Sequence, residues 1–139
     1  MPFSVAVLDE VNHAKLTPER ATELCAAALS IRSFDTERVG EVSVALVDMD
    51  VMHELNLKYR KIDSPTDVLS FDIDGPYGEM VGEIMVAPEY VRFDRAGVEE
   101  LVVHGTLHLA GMDHGDEFAG SEMAQMQEAV LESAGVREG

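Results

Sequence analysis

The chain has 139 residues, of which 46% are hydrophobic and 27% charged, and its formal net charge is −17 at pH 7. This length suits one domain with its own core and is too short for two, so we expect a single domain over residues 1–139. No apolar run approaches the roughly 20 residues that span a bilayer, and residues 1–4 lack the pattern of a secretory signal. The one cysteine, Cys25, excludes an internal disulfide and suits a reducing cytosol. We therefore expect a soluble cytoplasmic protein without a membrane partner, in which Cys25 is a small buried residue of a helix.

The negative charge argues against broad binding to nucleic acid, because non-specific affinity for phosphates depends on Lys and Arg. Only ten Lys and Arg stand against 27 Asp and Glu. Three of the ten fall within four residues, at Lys58, Arg60 and Lys61. Any contact with RNA should therefore pass through a small focal site.

The first half of the chain alternates strand and helix patterns. Alternating apolar residues predict a strand over 3–8, and Thr17-Pro18 predicts a helix start with Thr17 as N-cap. The spacing of the apolar residues that follow buries one helix face up to Ile31. A second strand from Val42 ends at Asp48, and Asp50 is the predicted cap of a second helix.

The second half continues the same pattern and completes an α/β fold. We predict a loop over 62–67, strands over 68–71 and 81–86 around a turn at 75–78, and helices over 98–110 and 118–133. Gly111 is expected to end the first of these helices in a left-handed conformation. A single mixed sheet of about four strands covered by helices is the natural arrangement of such elements.

Three of the five histidines lie within eleven residues, at His104, His108 and His114. On a helix, His104 and His108 project from one face about one turn apart, close enough to reach one metal ion at about 2.0–2.1 Å. A turn at Gly111 would bring His114 to the same point. Three neutral imidazoles favour zinc and leave a fourth position open, as in catalytic sites, whereas the alternative is three ordinary histidines near a helix end.

The same histidine spacing occurs in a large class of zinc proteases. Those enzymes carry a glutamate directly after the first histidine as general base, and this chain has Gly105 there. The absence of this glutamate therefore argues against a peptidase, although the spacing is shared. Asp113 is a candidate for orienting a ligand histidine from behind, with a simple turn residue as the alternative.

With these residues laid out, the sequence resembles the YbeY family of rRNA maturation factors. Residues 104–114, HGTLHLAGMDH, follow the family signature at every defined position. A second match joins LNLKYR at 55–60 with PTDVLSF at 65–71, and a third, shorter one is GEI at 82–84. The three motifs, in order, span about residues 42–126.

The resemblance implies a single α/β domain with one zinc ion bound by His104, His108 and His114. It also implies endonucleolytic cleavage of single-stranded RNA, processing of the 3′ end of 16S rRNA and ribosome quality control. The partners would be the small ribosomal subunit, with ribosomal proteins or an assembly GTPase. Arg60 and His114 are the catalytic residues that it implies. An always-charged guanidinium beside a metal suits phosphate binding, while the alternative for Arg60 is a solvated helix end.

The remaining candidates for substrate binding are Lys58, Lys61, Thr66, Asp67 and Ser70. Thr66 and Asp67 could instead form a cap and turn before a strand, and Ser70 could be an ordinary strand hydroxyl. The residues do not decide whether water or the 2′-hydroxyl of RNA attacks the phosphate.

The segment between Ile84 and His104 is shorter than in the family. We therefore expect residues 91–97 to form a loop or a short helix and to leave the cleft open on that side. His13 and His53 match no motif and are expected to be structural or exposed. Two other functions remain open: an assembly factor with a structural zinc, and a metallohydrolase of a peptide or small molecule.

Overall fold

The computed structural model of the protein describes residues 4–12, 16–31, 39–74, 80–112 and 120–136. Its elements in chain order are β1 (Ser4–Asp9), α1 (Pro18–Ile31), β2 (Val39–Leu46), α2 (Met49–Arg60), β3 (Val68–Asp74), β4 (Met80–Val86), a 3-10 helix (Pro88–Val91), α3 (Arg95–Leu109) and α4 (Glu122–Ser133). The strands form one sheet in the order β1-β2-β4-β3, with β3 antiparallel to β4 and the other pairs parallel. The predicted α/β class and four-stranded mixed sheet are confirmed. None of the described helices is both long and apolar enough to cross a membrane.

Each face of the sheet buries its own apolar cluster. Val44 and Ile84 belong to the larger cluster, together with residues of α1, α3 and α4. Ala45 and Leu69 belong to a smaller cluster with Met52 of α2. Because successive strand side chains point to opposite faces, α2 covers one face of the sheet and the other three helices cover the opposite face.

The start of α2 differs from the sequence prediction. The helix begins at Met49, and Asp48 is its N-cap: the Asp48 carboxylate accepts a hydrogen bond from the Val51 amide at 2.9 Å. Asp50, the predicted cap, lies in the first helical turn instead. The strand before it ends at Leu46 rather than Asp48. Either aspartate fits the cap pattern locally, and the end of the paired strand selects the earlier one.

The starts of α3 and α4 also differ from the prediction. Helix α3 begins at Arg95 rather than at residue 98, because Asp94 caps it by accepting a hydrogen bond from the Gly97 amide at 3.0 Å. Residues 91–97 therefore contain the end of the 3-10 helix, a short turn and the first turn of α3. Helix α4 begins at Glu122 rather than at residue 118, with Ser121 as its N-cap. The predicted turn at 75–78 lies outside the described residues.

A partly buried ion pair fixes α3 against α1 and the end of α4. The Arg20 guanidinium donates from Nη2 to Glu99 Oε1 at 2.9 Å and to the Ala134 carbonyl at 2.7 Å. Glu99 is buried, and its other oxygen lies 3.4 Å from Arg95 Nε. Because this carboxylate has cationic partners on both oxygens, it ties α1 to α3 and so sets the position of the helix that carries the histidine pair.

Cys25 of α1 is buried where this helix packs against α3, and its Sγ lies 3.4 Å from Thr106 Oγ1. Burial raises the pKa of the thiol from 9.0 to about 11, against a smaller lowering by Thr106. Between these two values the folded chain keeps a proton that the unfolded chain releases. We expect this group to lower the free energy of unfolding by about 1 kcal/mol between pH 8 and pH 10. Urea unfolding of the wild type at these two pH values measures the change.

The matched control for this prediction is Cys25→Ala, which lacks the titrating group and shares every other one. The loss of stability between pH 8 and pH 10 should be smaller in Cys25→Ala by about 1 kcal/mol. Equal losses in the two proteins would contradict the assigned role of the thiol.

Candidate functional site

An open cleft of about 990 Å³ is lined by residues of α2, β3, α3 and α4. The predicted site residues that line it are Arg60, Thr66, Asp67, Ser70, His104 and His108. These come from two separate motifs of the sequence, which the fold brings together. His114 and Asp113 lie outside the described residues.

His104 and His108 face each other across one turn of α3. Their ring centroids are 4.8 Å apart, and the two Nε2 atoms lie 3.2 Å from each other. Two ligands of a tetrahedral zinc ion at the usual Zn–N distance are about 3.3 Å apart. The pair therefore fits two positions of a zinc site. The described residues contain no group of three His, Cys, Asp or Glu donors, and the predicted third ligand, His114, lies beyond them.

Gln127 is a site residue that the sequence analysis did not identify. Its Oε1 lies 2.7 Å from His104 Nδ1, and its Nε2 donates to Glu100 Oε1 at 3.1 Å. Gln127 is a polar residue buried in the apolar stripe of α4, between Met123 and Val130. A polar residue in an apolar stripe is the sequence signal that could have identified Gln127, because a buried polar group needs a hydrogen-bond partner.

Gly105 allows α3 to lie directly on the sheet. A Cβ at this position would lie 2.7 Å from Ile84 Cγ2 and 3.0 Å from Ser70 Oγ. The Ser70 hydroxyl donates to the Gly105 carbonyl at 2.9 Å. A side chain fits here only if these neighbours or the helix shift, and the glutamate of the zinc proteases would need still more space. The absence of that base, noted in the sequence, has a cause in packing.

The end of α2 places Arg60 on the cleft. Lys61 ends the helix in a left-handed conformation, with φ of 61°, and its amide donates to the Leu57 carbonyl at 3.1 Å. The buried Asn56 donates from Nδ2 to the Ser64 carbonyl at 2.8 Å and so holds the following loop. Asn56 belongs to the motif at 55–60. Its contact sets the path of the loop that leads to Thr66.

Thr66, Asp67 and Ser70 are engaged in local hydrogen bonds as well as lining the cleft. Asp67 Oδ1 accepts from the Val68 amide at 2.8 Å and lies 3.4 Å from Thr66 Oγ1. These contacts form the cap before β3 that is the alternative to substrate binding for Thr66 and Asp67. Ser70 holds α3 through the contact with Gly105. Their roles in substrate binding remain predictions.

Lys58 and Lys61 are exposed and are not among the described residues that line the cleft. Lys58 Nζ lies 5.1 Å from the centre of the Tyr59 ring, and Lys61 Nζ donates to the Lys58 carbonyl at 3.3 Å. Their part in substrate binding stays a prediction. His53 Nε2 lies 2.7 Å from Asp63 Oδ1 near the surface, which agrees with the expectation for this histidine.

The fold and the cleft define an α/β domain in which a histidine pair and an arginine line one cleft. A family model described as "Endoribonuclease YbeY" matches residues 7–135. A protein named Endoribonuclease YbeY from Rubrobacter xylanophilus is 60% identical over 134 residues, covering 96% of this chain and 97% of the relative. The chain belongs to the YbeY family.

More distant relatives support the same assignment. An Endoribonuclease YbeY of Brevibacillus brevis is 34% identical over 153 residues, covering 91% of this chain and 96% of the relative. The solution structure of TM1509 from Thermotoga maritima matches with a TM-score of 0.53 and 31% identity, covering 94% of this chain and 88% of that one. Sequence and structure therefore agree over nearly the whole chain.

Proposed function

We propose that this protein is a zinc-dependent endoribonuclease that cleaves single-stranded RNA in the cytoplasm, at the 3′ end of 16S rRNA and in ribosome quality control. The observation that carries the proposal is the 3.2 Å approach of His104 and His108 Nε2 in a cleft that Arg60 also lines. The names of the relatives support the reaction class. The small ribosomal subunit, with ribosomal proteins or an assembly GTPase, is the proposed partner.

In this proposal one zinc ion is held by His104 and His108, with His114 as the third ligand. The donor set favours the assignment, because imidazole nitrogen is a preferred zinc ligand and three such ligands leave a position for substrate or water. When bound, the ion supplies a Lewis acid for a phosphoryl oxygen and increases the acidity of a coordinated water. His104 and His108 would contribute their Nε2 atoms, which lie 3.2 Å apart.

Arg60 has a separate task in the proposed reaction. It is exposed at the end of α2 and lines the cleft, so a phosphate of the RNA backbone can reach it from solvent. A guanidinium binds two phosphate oxygens through parallel N–H groups and opposes the negative charge that develops during cleavage. With a net charge of −17, the chain relies on this focal contact rather than on a broad basic surface.

Water and the 2′-hydroxyl of the RNA are both suitable nucleophiles for this site. Attack by the 2′-hydroxyl would leave a 2′,3′-cyclic phosphate, whereas attack by water would not. End-group analysis of the first products distinguishes the two routes.

The direct test is cleavage of a single-stranded oligonucleotide carrying the 16S 3′ sequence by the purified protein. We expect a chelator to abolish cleavage and added zinc to restore it. We expect His108→Ala to reduce the rate by at least about 100-fold, because a metal contributes several kcal/mol to such transition states. The matched control is His53→Ala, the same substitution at an exposed histidine outside the cleft. Equal cleavage by wild type and His108→Ala would contradict the proposal.

The ribosomal part is tested by mapping 16S 3′ ends in cells depleted of the protein. Complementation with Arg60→Ala or His114→Ala at matched protein levels should leave unprocessed ends. If both variants restore mature ends, the cleft does not catalyse this step and the protein acts as an assembly factor. Cleavage of members of a peptide panel, with RNA left intact, would instead assign a different metallohydrolase.

A further inference from the structure

The orientation of the Gln127 amide is determined by Glu100. A carboxylate only accepts hydrogen bonds, and an amide group has one donating and one accepting end. Gln127 Nε2 lies 3.1 Å from Glu100 Oε1, so this end of the amide must be the donor. The reversed amide would place two acceptor oxygens against each other. Gln127 Oε1 therefore faces His104.

This orientation in turn determines the tautomer of His104. Gln127 Oε1 lies 2.7 Å from His104 Nδ1 and can only accept, so Nδ1 carries the hydrogen. A neutral imidazole with its hydrogen on Nδ1 has its lone pair on Nε2. That atom is the one 3.2 Å from His108 Nε2. The hydrogen bond also fixes the rotation of the ring.

We infer that Gln127, oriented by Glu100, is the positioning residue that presents the His104 Nε2 lone pair to the metal. The inference rests on the metal site of the proposed function and adds a determinant of metal affinity to it. Gln127 is 3% exposed, so water has little access to compete for its amide. Partners of this kind behind a ligand histidine change metal affinity by about 10–100-fold. Gln127 also lines the cleft, and in this arrangement it acts on the metal through His104.

The hydrogen-bonded relay Glu100–Gln127–His104 joins two helices. Glu100 and His104 are four residues apart on α3, so both lie on the same helix face, and Gln127 reaches them from α4. Because α3 and α4 are joined by this contact, the position of α4 sets the orientation of a metal ligand on α3. The relay is thus a tertiary device that the histidine motif alone does not contain.

The first test measures zinc affinity of the full chain by competition with a chelating dye. We expect Gln127→Met, which is nearly isosteric and is only a weak acceptor, to weaken zinc binding by about 10–100-fold. The control is Gln125→Met, the same substitution at an exposed position of α4, with zinc binding unchanged. Equal affinities of the two variants would overturn the inference.

The second test reads the His104 tautomer in the metal-free protein by ¹⁵N NMR of the imidazoles. We expect the wild type to show hydrogen on Nδ1 alone and Gln127→Met to show a mixture of both tautomers. A variant with the wild-type tautomer, or with a mixture but unchanged zinc affinity, would overturn the inference.

A rescue variant separates positioning from a general loss of packing. The double substitution Glu100→Gln with Gln127→Glu exchanges the amide and the carboxylate. The new carboxylate at position 127 would accept from His104 Nδ1, and the new amide at position 100 would donate to it. We expect zinc affinity within a few-fold of wild type, and a loss as large as that of Gln127→Met would overturn the inference. If Gln127→Met does not fold, this exchange and the single Gln127→Glu variant, compared by zinc titration, decide the matter.

These outcomes are distinct from failure of the proposed function. Zinc affinity and tautomer that respond to Gln127 in a protein that cleaves no RNA would support the inference and contradict the nuclease. RNA cleavage that needs His108, together with a zinc affinity and a His104 tautomer that do not change in Gln127→Met, would support the nuclease and contradict the inference. A wild-type chain that binds no zinc would overturn both the inference and the metal part of the proposal.

Discussion

Replacing Arg60 by alanine is expected to reduce the rate of RNA cleavage by about 10²–10³-fold, the usual effect of removing one preorganised donor from a developing charge. Arg60 lines the cleft from the end of α2, while the histidine pair lies on α3. The variant should therefore retain the zinc affinity of the wild type. Single-turnover cleavage of a single-stranded oligonucleotide and a zinc titration on the same preparation measure the two effects.

Two further variants make this prediction specific. Arg92→Ala removes the same charge from an exposed residue that is not among the described residues lining the cleft, and cleavage should be unchanged. Arg60→Lys keeps the charge but lacks the two parallel N–H groups, so it should recover only part of the rate. Cleavage by Arg60→Ala at the wild-type rate would remove this residue from the mechanism.

Substituting Gly105 by alanine is expected to destabilise the protein by about 2 kcal/mol, and substituting it by glutamate to prevent folding. The new Cβ would lie 2.7 Å from Ile84 Cγ2, a methyl group on a stiff branched side chain. Crowding of this kind costs about 1–3 kcal/mol, and the better helix propensity of alanine offsets about 1 kcal/mol of it. We expect the upper end of the cost because Ser70 Oγ crowds the same position. Urea unfolding measures the loss for Gly105→Ala, and far-ultraviolet circular dichroism shows whether Gly105→Glu folds.

A double-mutant cycle with Ile84→Ala tests the cause. Ile84→Ala removes the methyl group that the new Cβ would meet, so Gly105→Ala should cost much less in that background than in the wild type. Two substitutions in contact commonly show a coupling of about 0.5–3 kcal/mol. If Gly105→Ala stabilises the wild-type chain, as at an exposed helix position, the close packing of α3 on the sheet is contradicted.

The helix and strand types were predictable from the sequence, whereas several boundaries were not. Alternating apolar residues in the strands and a spaced apolar face in α1 are local signals, and both kinds of element formed, although β2 spans Val39–Leu46 and β3 extends to Asp74. The choice of Asp48 over Asp50 as the cap of α2 was not local. Both residues satisfy the cap pattern, and the end of the paired strand β2 decides between them.

The site divides in the same way. The four-residue spacing of His104 and His108 fixed their common face, because one turn of a helix separates them. The residue that hydrogen-bonds to His104 could not be predicted from a local pattern. Gln127 follows His104 by 23 residues and belongs to no motif, so only the packing of α4 against α3 brings the two together.

By itself the sequence determined the α/β class, the family motifs and the histidine pair, because each depends on residues near one another in the chain. The tertiary structure decided which predicted residues share the cleft. It placed Arg60 in the same cleft as the histidines, left Lys58 and Lys61 on the outer surface, and joined Gln127 to His104. It also explains the glycine at position 105, because α3 contacts β3 and β4 closely there. These facts depend on distances between elements that lie far apart in the chain, and the burial of two apolar clusters on one sheet sets those distances.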